Sequence, residues 1–209
     1  MYSVLNQTYG DLRVDILDNA SDDETEEVAQ ELVRLDGRVR YHRHPENIGQ
    51  LQNLIFGMQR VTTPYFNVLS DDDLLMPKFL EAGVSIHGQG DEPAAFVSAR
   101  VVAVDGAGHF DAPWDHPAER RRLAPPEGIA RCLKDGVSLP GVVYRTSAIA
   151  AIGPLRTAWW NWSESGWHAL VAMKYPIQFT PDVGAIVLVH PGSASKQMDG
   201  VEFRMSWFD

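Results

Sequence analysis

The sequence predicts an α/β fold with a mostly parallel sheet and flanking helices. Short apolar segments of strand length alternate with segments whose apolar residues recur at helical spacing, starting with residues 12–17 and 22–35. Such alternation is typical of parallel strands joined by crossover helices. The chain has 209 residues, of which 44% are hydrophobic and 22% charged, as expected for one globular domain with a sizeable core.

The first predicted unit is a strand at residues 12–17 followed by a helix that ends near Leu35. The strand is rich in Leu, Val and Ile, which favour extended structure. Ser21 and Glu24 have the spacing of a capping box, which satisfies free N–H groups at a helix N-terminus. Gly37 follows the last periodic residue, so we expect the helix to end there.

The same periodicities predict the remaining elements in order. In the first half they are strands at residues 39–42, 65–69 and 94–104 and helices at residues 50–60 and 77–87. An Asp105-Gly106 pair then predicts a hairpin turn. Residues 112–126 are expected to form a long surface loop or lid. The last elements are helices at residues 126–134, 146–152 and 163–174 and strands at residues 140–145, 177–179 and 185–189.

Three consecutive aspartates, Asp71, Asp72 and Asp73, follow the strand predicted at residues 65–69. Adjacent carboxylates repel one another and are tolerated together when solvent or a cation neutralises them. Ligands of open parallel sheets bind at the carboxyl ends of the strands, so one interpretation is a cation site. The alternative is an acidic turn that caps the next helix, which is the commoner role of an isolated Asp run.

The charge balance limits the classes of partner. With 18 Lys and Arg against 28 Asp and Glu, the formal net charge is −10, which argues against nucleic acid or an anionic membrane as the main partner. A phosphate-bearing substrate would need a bridging metal or clustered backbone N–H donors. Cys132 is the single cysteine and is compatible with a reducing compartment. We expect a cytoplasmic protein without a signal peptide or membrane span, and peripheral membrane association through a partner stays open.

Four motifs lie in order along nearly the whole chain. They are residues 5–9 with 18–22, Asn47-Ile48-Gly49 ahead of Asn53, residues 70–73 ahead of Pro77, and residues 190–195, which read His-x-x-Ser-x-Ser. Together they resemble the inverting family 2 glycosyltransferases of GT-A fold. The resemblance implies a Rossmann-like sheet, a nucleotide-sugar donor, a divalent cation (Mn²⁺ or Mg²⁺) and inversion at the anomeric carbon.

The resemblance also implies roles for individual residues. Asp18 would contact the base or ribose, and the aspartates at 71–73 occupy the DXD position, with one carboxylate on the ribose and one on the metal. A cation there suits the chemistry, because a diphosphate leaves poorly unless its developing charge is neutralised. The implied donor-binding residues are Asp18, Ser21, Asn47, Gly49, Asn53, Asp71 and Asp72. The implied metal ligands are Asp72, Asp73 and His190, although His190 could equally be a strand-end histidine held by its turn.

Inverting transfer also needs a general base for the acceptor hydroxyl. The family places an acidic residue at the start of the helix that corresponds to residues 163–174, where this chain offers Glu164. Aromatic surroundings would raise its pKa towards neutrality, whereas the alternative is a first-turn Glu that complements the helix dipole. Nearby tryptophans could stack on sugar rings, although buried Trp is more often core; they are Trp159, Trp160, Trp162 and Trp167.

The sequence departs from the family pattern at its start. Family members begin with a strand that lies centrally, between the strands predicted here at residues 12–17 and 65–69, and this sequence does not contain it. An unfilled slot leaves two rows of backbone groups unpaired. We therefore expect a fragment or an unusual sheet, and poorer donor binding or solubility than in a form extended upstream.

The expected function is metal-dependent, inverting transfer of a sugar from a UDP-, GDP- or dTDP-sugar to a cell-surface polysaccharide, glycolipid or protein acceptor. Within a single domain, residues 1–104 would form the nucleotide-sugar-binding half and residues 105–209 the acceptor-side half. Two alternatives remain: a nucleotidyltransferase, for which no lysine-bearing glycine-rich loop is visible, and a truncated or degenerate GT-A domain with a non-catalytic binding role.

Overall fold

A computed structural model of the chain describes residues 1–89, 92–111, 116–134, 136–153, 155 and 163–190. The helices are α1 (Tyr2–Leu5), α2 (Thr25–Leu35), α3 (Gln50–Gln59), α4 (Phe79–His87), α5 (Glu127–Lys134), α6 (Thr146–Ile152) and α7 (Ser163–Lys174). The strands are β1 (Val14–Asp18), β2 (Val39–Arg43), β3 (Tyr65–Phe66), β4 (Leu74–Leu75), β5 (Phe96–Asp105), β6 (Phe110–Asp111), β7 (Arg121–Leu123), β8 (Val142–Arg145) and β9 (Ile177–Val189). No helix in the described ranges has the length and apolar character that a membrane crossing requires.

The chain forms two compact units. The smaller unit is Tyr9–Thr62, and the larger unit combines Met1–Thr8 with Thr63–Asp209. These boundaries differ from the functional halves expected to meet at residues 104 and 105, because β5 runs across that position. The assignment of donor and acceptor roles to the two halves stays a prediction.

The smaller unit contains a two-stranded parallel sheet. β1 and β2 pair from Val14 opposite Val39 to Asp18 opposite Arg43, and α2 and α3 contact β2 and β1 respectively. Gly57 of α3 lies so close to the Leu17 side chain that an added Cβ would overlap it. Across the described residues, β1 pairs with β2 alone, so its other edge has no partner strand.

The larger unit contains a seven-stranded sheet. Its central strand order is β3-β8-β5-β9-β4, with β6 paired to β5 and β7 paired to β9. The α/β class is therefore confirmed, but the pairing is mixed rather than mostly parallel. In the described part of this sheet β5 and β9 are parallel and the other pairs are antiparallel. The β5–β6 pair is the hairpin predicted from Asp105-Gly106, and so short a connection can join only antiparallel strands.

Helices cover both faces of this sheet. On one face α4 packs Phe79 against Ala99 and Val143 in a cluster of buried apolar side chains. On the other face α5 packs on β9 so tightly that a Cβ at Gly128 would lie 2.8 Å from Ile177. The sheet is thus buried on both sides, which explains why β5 is apolar along most of its length.

Several element predictions need correction. The strand expected at residues 65–69 is only Tyr65–Phe66. After it, the Asn67 side chain, in place of a backbone N–H, donates hydrogen bonds to the Pro140 and Val142 carbonyls, both at 2.9 Å. The two strands expected at residues 177–179 and 185–189 are one strand, and β4 and β7 were not predicted. β7 also falls inside the loop expected at residues 112–126, of which residues 112–115 lie outside the described part.

The capping box predicted at Ser21 is not formed. α2 begins at Thr25, and the Asp23 carboxylate accepts the Thr25 backbone N–H at 3.0 Å. Ser21 instead donates its backbone N–H to Asp18, at 2.8 Å. Ser21 therefore belongs to the turn that follows β1 and does not cap α2.

Candidate active site

Asp18 ends β1 as a buried carboxylate with three donors. Tyr41 donates its hydroxyl at 2.6 Å and Arg43 its guanidinium at 3.0 Å, both from β2, and the Ser21 backbone N–H donates at 2.8 Å. Burial alone raises the pKa of Asp18, but the hydrogen bonds from Tyr41 and Ser21 and the Arg43 charge lower it to about 2. Asp18 is therefore charged at neutral pH and rigidly oriented.

The loop that contains Asn47 and Gly49 is tied to the same strand end. Asn19, the residue after Asp18, donates to the Asn47 side chain at 2.8 Å and accepts the Ile48 N–H at 2.9 Å. Gly49 has a φ of 85° and nothing within 4 Å of the place where a Cβ would sit. Glycine is thus favoured here by backbone conformation, and its predicted contact with the donor stays a prediction.

Asn53 is used within the protein. Its amide donates to the Leu17 carbonyl at 2.9 Å, and its oxygen lies 3.1 Å from His44 Nε2. These bonds hold α3 against β1, so the Asn53 side chain has a structural role. Its predicted contact with the donor stays a prediction.

The three aspartates of the larger unit differ in exposure. Asp71 is exposed, Asp72 is half-buried and Asp73 is buried. Asp73 accepts the Leu188 backbone N–H at 3.3 Å, which anchors the turn to β9. Burial, followed by repulsion from Asp72 and Asp71, raises the pKa of Asp73 to about 6, although the Leu188 N–H opposes the shift.

His190 lies at this acidic turn, and its predicted role as a metal ligand stays a prediction. Its Nε2 is 3.1 Å from Asp72 Oδ2, and both side chains are open to solvent, with exposed fractions of 49% and 36%. The turn therefore offers an accessible carboxylate and an imidazole side by side. The remaining residues of the motif, 191–195, lie outside the described part.

A cation fits this turn only with help from a ligand. Within the described ranges, no three His, Cys, Asp or Glu side chains converge as a site built from protein alone would require. Mg²⁺ is commonly held by one or two carboxylates together with substrate phosphates and water. Asp72 suits that arrangement, whereas Asp73 is buried and already engaged by Leu188.

Glu164 lies in the first turn of α7. Its side chain is exposed, yet desolvation by the surrounding protein raises its pKa to about 7. Trp167 is buried and donates its indole N–H to the Gly153 carbonyl at 3.0 Å, so it is core and not a sugar platform. The other three tryptophans of the cluster lie outside the described residues.

Known proteins show similarity to this chain at the levels of sequence and fold. Residues 1–137 match the family model of glycosyl transferase family 2. The chain belongs to this family. The family recognised from the sequence motifs is thereby confirmed.

Individual relatives agree with the family assignment. An "Uncharacterized glycosyltransferase" from Haemophilus influenzae is 27% identical over 103 residues, which are 49% of this chain and 32% of the relative. Crystal structures of S. aureus TarS match with a TM-score of 0.69 at 14% identity over 91% of this chain and 34% of TarS. TarS 1-349 in complex with UDP-GlcNAc matches with a TM-score of 0.70 at 14% identity, over 98% of this chain and 58% of that one.

These matches establish the GT-A fold for this chain of glycosyl transferase family 2. The chain spans about a third of the length of the curated relative and of the full TarS chain. The structure brings Asp18 to the Asn47–Gly49 loop within the smaller unit and Asp72 to His190 within the larger one.

Sequence reasoning missed the residues that orient the carboxylates. Tyr41 and Arg43 hold Asp18, and the Leu188 N–H holds Asp73. Tyr41 and Arg43 are two residues apart on β2, and residues two apart on a strand point to the same side. That spacing was therefore a usable sequence signal. The Leu188 contact involves a backbone group and has no sequence signal.

Proposed function

We propose that this chain transfers a sugar from a nucleotide-diphosphate donor to an acceptor hydroxyl with inversion, aided by Mn²⁺ or Mg²⁺ at Asp72. The observation that supports it most is the accessible Asp72 carboxylate beside His190 in a chain of glycosyl transferase family 2. A bound cation would neutralise charge on the departing diphosphate. Asp73, fastened to β9, fixes the turn that presents Asp72.

The donor is proposed to be a UDP-sugar, with GDP- and dTDP-sugars as the other candidates. TarS structures have been solved with UDP and UDP-GlcNAc, which supports the first. The family resemblance assigns the nucleoside to Asp18 and Ser21 and to the loop residues Asn47 and Gly49. Asp18 is charged and fixed in orientation, but its side chain is fully buried with three donors, so its contact with the nucleoside rests on the family resemblance.

Glu164 is the proposed base. A carboxyl with a pKa near 7 is half ionised at neutral pH and can take the proton of an acceptor hydroxyl as the new bond forms. The acceptor is proposed to be a polysaccharide, glycolipid or protein. Cytoplasmic location and peripheral membrane association stay predictions.

Calorimetry with UDP-GlcNAc, UDP-glucose, GDP-mannose and dTDP-glucose tests this proposal. We expect one donor to bind in a Mn²⁺-dependent manner and Asp72→Asn to weaken that binding at least about tenfold, since a charge-assisted contact is lost. Asp11→Asn is the matched control, because Asp11 is an exposed aspartate in the other unit. Equal binding by Asp72→Asn, or equal binding without metal, would contradict the proposal.

A non-catalytic role is the second candidate. β1 and β3 each have one edge without a partner strand in the described residues, which favours a domain that binds without turnover. Donor hydrolysis separates the two candidates. The enzyme proposal expects hydrolysis that Glu164→Gln abolishes while donor binding persists, whereas the second candidate expects binding and no hydrolysis in either protein.

A further inference from the structure

A row of apolar side chains crosses the sheet of the larger unit where β6 joins it. Residues directly opposite each other on neighbouring strands point to the same face, and so do residues two apart on one strand. Val104 of β5 is opposite Phe110 of β6 on one side and opposite Leu188 of β9 on the other. These three side chains therefore form one row on a single face of the sheet.

A second row lies beside the first on the same face. Val102, two residues before Val104, is opposite Ile186 of β9, and Ile186 is in turn opposite Leu74 of β4. The two rows together cross four strands, and we call them the apolar face. Its residues are Leu74, Val102, Val104, Phe110, Ile186 and Leu188.

The apolar face is largely open to solvent. The exposed fractions are 74% for Phe110, 43% for Leu74 and 39% for Leu188, and the other three residues are half-buried. The opposite side of the same strands is core beneath α4. α5 packs on β9 at Ile177, which is at the far end of the strand from Leu188. Contiguous exposed apolar surface of this kind indicates that another segment or molecule binds there.

The chain itself carries a segment whose pattern suits this face. Residues 201–207 read Val-Glu-Phe-Arg-Met-Ser-Trp, so apolar and polar residues alternate strictly. Such alternation is typical of an extended segment with one apolar side. That side would carry Val201, Phe203, Met205 and Trp207. The pattern is a property of the sequence alone, since residues 191–209 lie outside the described part of the chain.

Length and attachment bring this segment within reach of the apolar face. β9 leads from Leu188 to its end at Val189, and residues 191–200 then connect it to the segment. A connection of that length spans at most about 33–36 Å. The apolar face is roughly 14 Å across its four strands, and the four apolar side chains of the segment span roughly 20 Å. Residues 201–207 are therefore long enough to cross the face and are tethered beside it, which favours binding within one chain.

Two other occupants fit the face less well. A stable dimer interface buries about 800 Å² on each partner, whereas the apolar face measures only about 14 Å by 7 Å. Two copies would also bring together net charges of −10 each. The same charge and the three aspartates that precede Leu74 oppose contact with an anionic membrane.

We propose that residues 201–207 of this chain lie across the apolar face, with Val201, Phe203, Met205 and Trp207 turned towards it. The inference is independent of the proposed function, because it uses strand register, exposure and sequence pattern. Leu74 follows Asp73 directly, so the covered face borders the turn that presents Asp72.

Disulfide trapping in the full chain tests the docking. Phe110→Cys is combined in turn with each single substitution from Val201→Cys to Trp207→Cys. Cys132 does not compete, because it is buried and its pKa is raised to about 12 by desolvation. The best apolar position should cross-link to position 110 at least about fivefold better than the polar positions on either side of it, since a disulfide needs Cα atoms within about 7 Å.

The matched control for trapping replaces Phe110→Cys with Val28→Cys. Val28 is also an exposed apolar residue, but it belongs to the other unit. Cross-links to position 28 should show no alternation along residues 201–207. Electrophoresis under non-reducing conditions separates cross-links within one chain from those between two chains.

Thermal unfolding gives a second readout that needs no cysteine. Phe110→Ser and Phe203→Ser should each lower the thermal midpoint by about 2–4 °C, because each removes apolar contact from the covered face. The double variant should lose less than the sum of the two, since both changes break the same contact. Arg204→Ser, on the polar side of the segment, should leave the midpoint unchanged.

Cross-link yields without alternation, or strictly additive effects of Phe110→Ser and Phe203→Ser, overturn the proposal. Cross-links that form between two chains would assign the apolar face to a second copy and also overturn it. Wild-type binding to phosphatidylcholine vesicles that Phe110→Ser removes would assign the face to lipid, with the same consequence. Alternating cross-links within one chain, together with the coupled thermal shifts, support docking of residues 201–207.

Discussion

Individual carboxyl groups of this chain have opposite electrostatic environments. Hydrogen bonds and Arg43 bring the pKa of Asp18 to about 2, whereas burial brings that of Asp73 to about 6 and desolvation by the surrounding protein brings that of Glu164 to about 7. Carboxyl groups whose pKa values are pushed apart commonly have different chemical roles. Asp18 is suited to a permanent charge, and Glu164 to proton transfer near neutral pH.

The rate of donor turnover should therefore follow the ionisation of Glu164. A base acts in its deprotonated form, so the rate at saturating donor should fall as pH drops below about 7, approaching tenfold per pH unit. Glu164→Gln should remove turnover at all pH values and leave donor binding intact. Steady-state kinetics across pH 5–9 provide the measurement.

Asp73 supplies the internal control for that pH profile. Asp73 lies in the turn that presents Asp72 to the proposed metal, and its pKa is about 6. Its protonation should therefore weaken metal-dependent donor binding below about pH 6. The two pH dependences separate in the kinetics, because one affects the rate at saturation and the other affects KM. A rate that is flat between pH 5 and 8 would contradict the role of Glu164.

Gly49 should be intolerant of a side chain for backbone reasons. Its φ of 85° lies in the region that residues with a Cβ avoid, so Gly49→Ala should cost about 1–2 kcal/mol of unfolding free energy. Gly37→Ala is the matched control, since that position is equally open but has no such φ. Urea unfolding of both variants is the measurement, and equal stability of the two would show that the conformation carries no strain.

Much of the site could be predicted at this scale because its residues fall in sequence motifs. The motifs located Asp18, the loop of Asn47 and Gly49, and the aspartates at 71–73. They could not show that Tyr41 and Arg43 hold Asp18, because that depends on the parallel register of β1 and β2.

Among the elements, helices and long strands could be predicted better than short strands. Helical periodicity located α3, α4 and α7 within a few residues. β4 has two residues and β7 has three, too few for an alternating pattern to register. β9 was divided in the prediction because Pro181 and Gly184 interrupt its apolar pattern, whereas the structure continues the strand through an irregular register with β5.

α7 is fixed to the sheet by a buried polar pair. The Tyr144 hydroxyl lies 2.7 Å from His168 Nε2, and both side chains are fully buried. Burial lowers the pKa of His168 to about 3, against an opposing effect of the Glu164 carbonyl, so the ring is neutral and its Nε2 accepts a hydrogen bond from the Tyr144 hydroxyl. His168 lies one turn after Glu164, and the pair therefore positions the start of α7.

Tyr144→Phe should destabilise the chain by about 1–3 kcal/mol, because the buried His168 Nε2 would then lose its hydrogen-bond partner. Adding His168→Phe removes the orphaned groups, so the double variant should be less destabilised than the sum of the single variants. Thermal unfolding of the four proteins measures this coupling. Strict additivity would mean that the two side chains do not interact.

At the scale of the whole molecule, the two units differ in how much apolar surface they bury. In the described part of Tyr9–Thr62 the buried apolar side chains are Ala29, Val39 and Leu51, whereas most of the core belongs to the larger unit. α2 leaves Val28 and Leu35 largely exposed. A small core with one open strand edge predicts low local stability for β1 and β2.

Hydrogen exchange should show this difference directly. Backbone amides of β1 and β2 should exchange at least about tenfold faster than those of β5 and β9, because their ladder opens without loss of a large core. Bound UDP-GlcNAc should slow exchange at the Asp18 end of β1 and at Gly49, since a ligand that binds only the folded unit stabilises it. Exchange of β1 and β5 at one common rate, unaffected by the donor, would mean that the small sheet is as stable as the large one and that the assigned nucleotide residues do not bind. Protection of Asp18 and Gly49 alone would instead show that the donor itself supplies the stability that β1 and β2 lack.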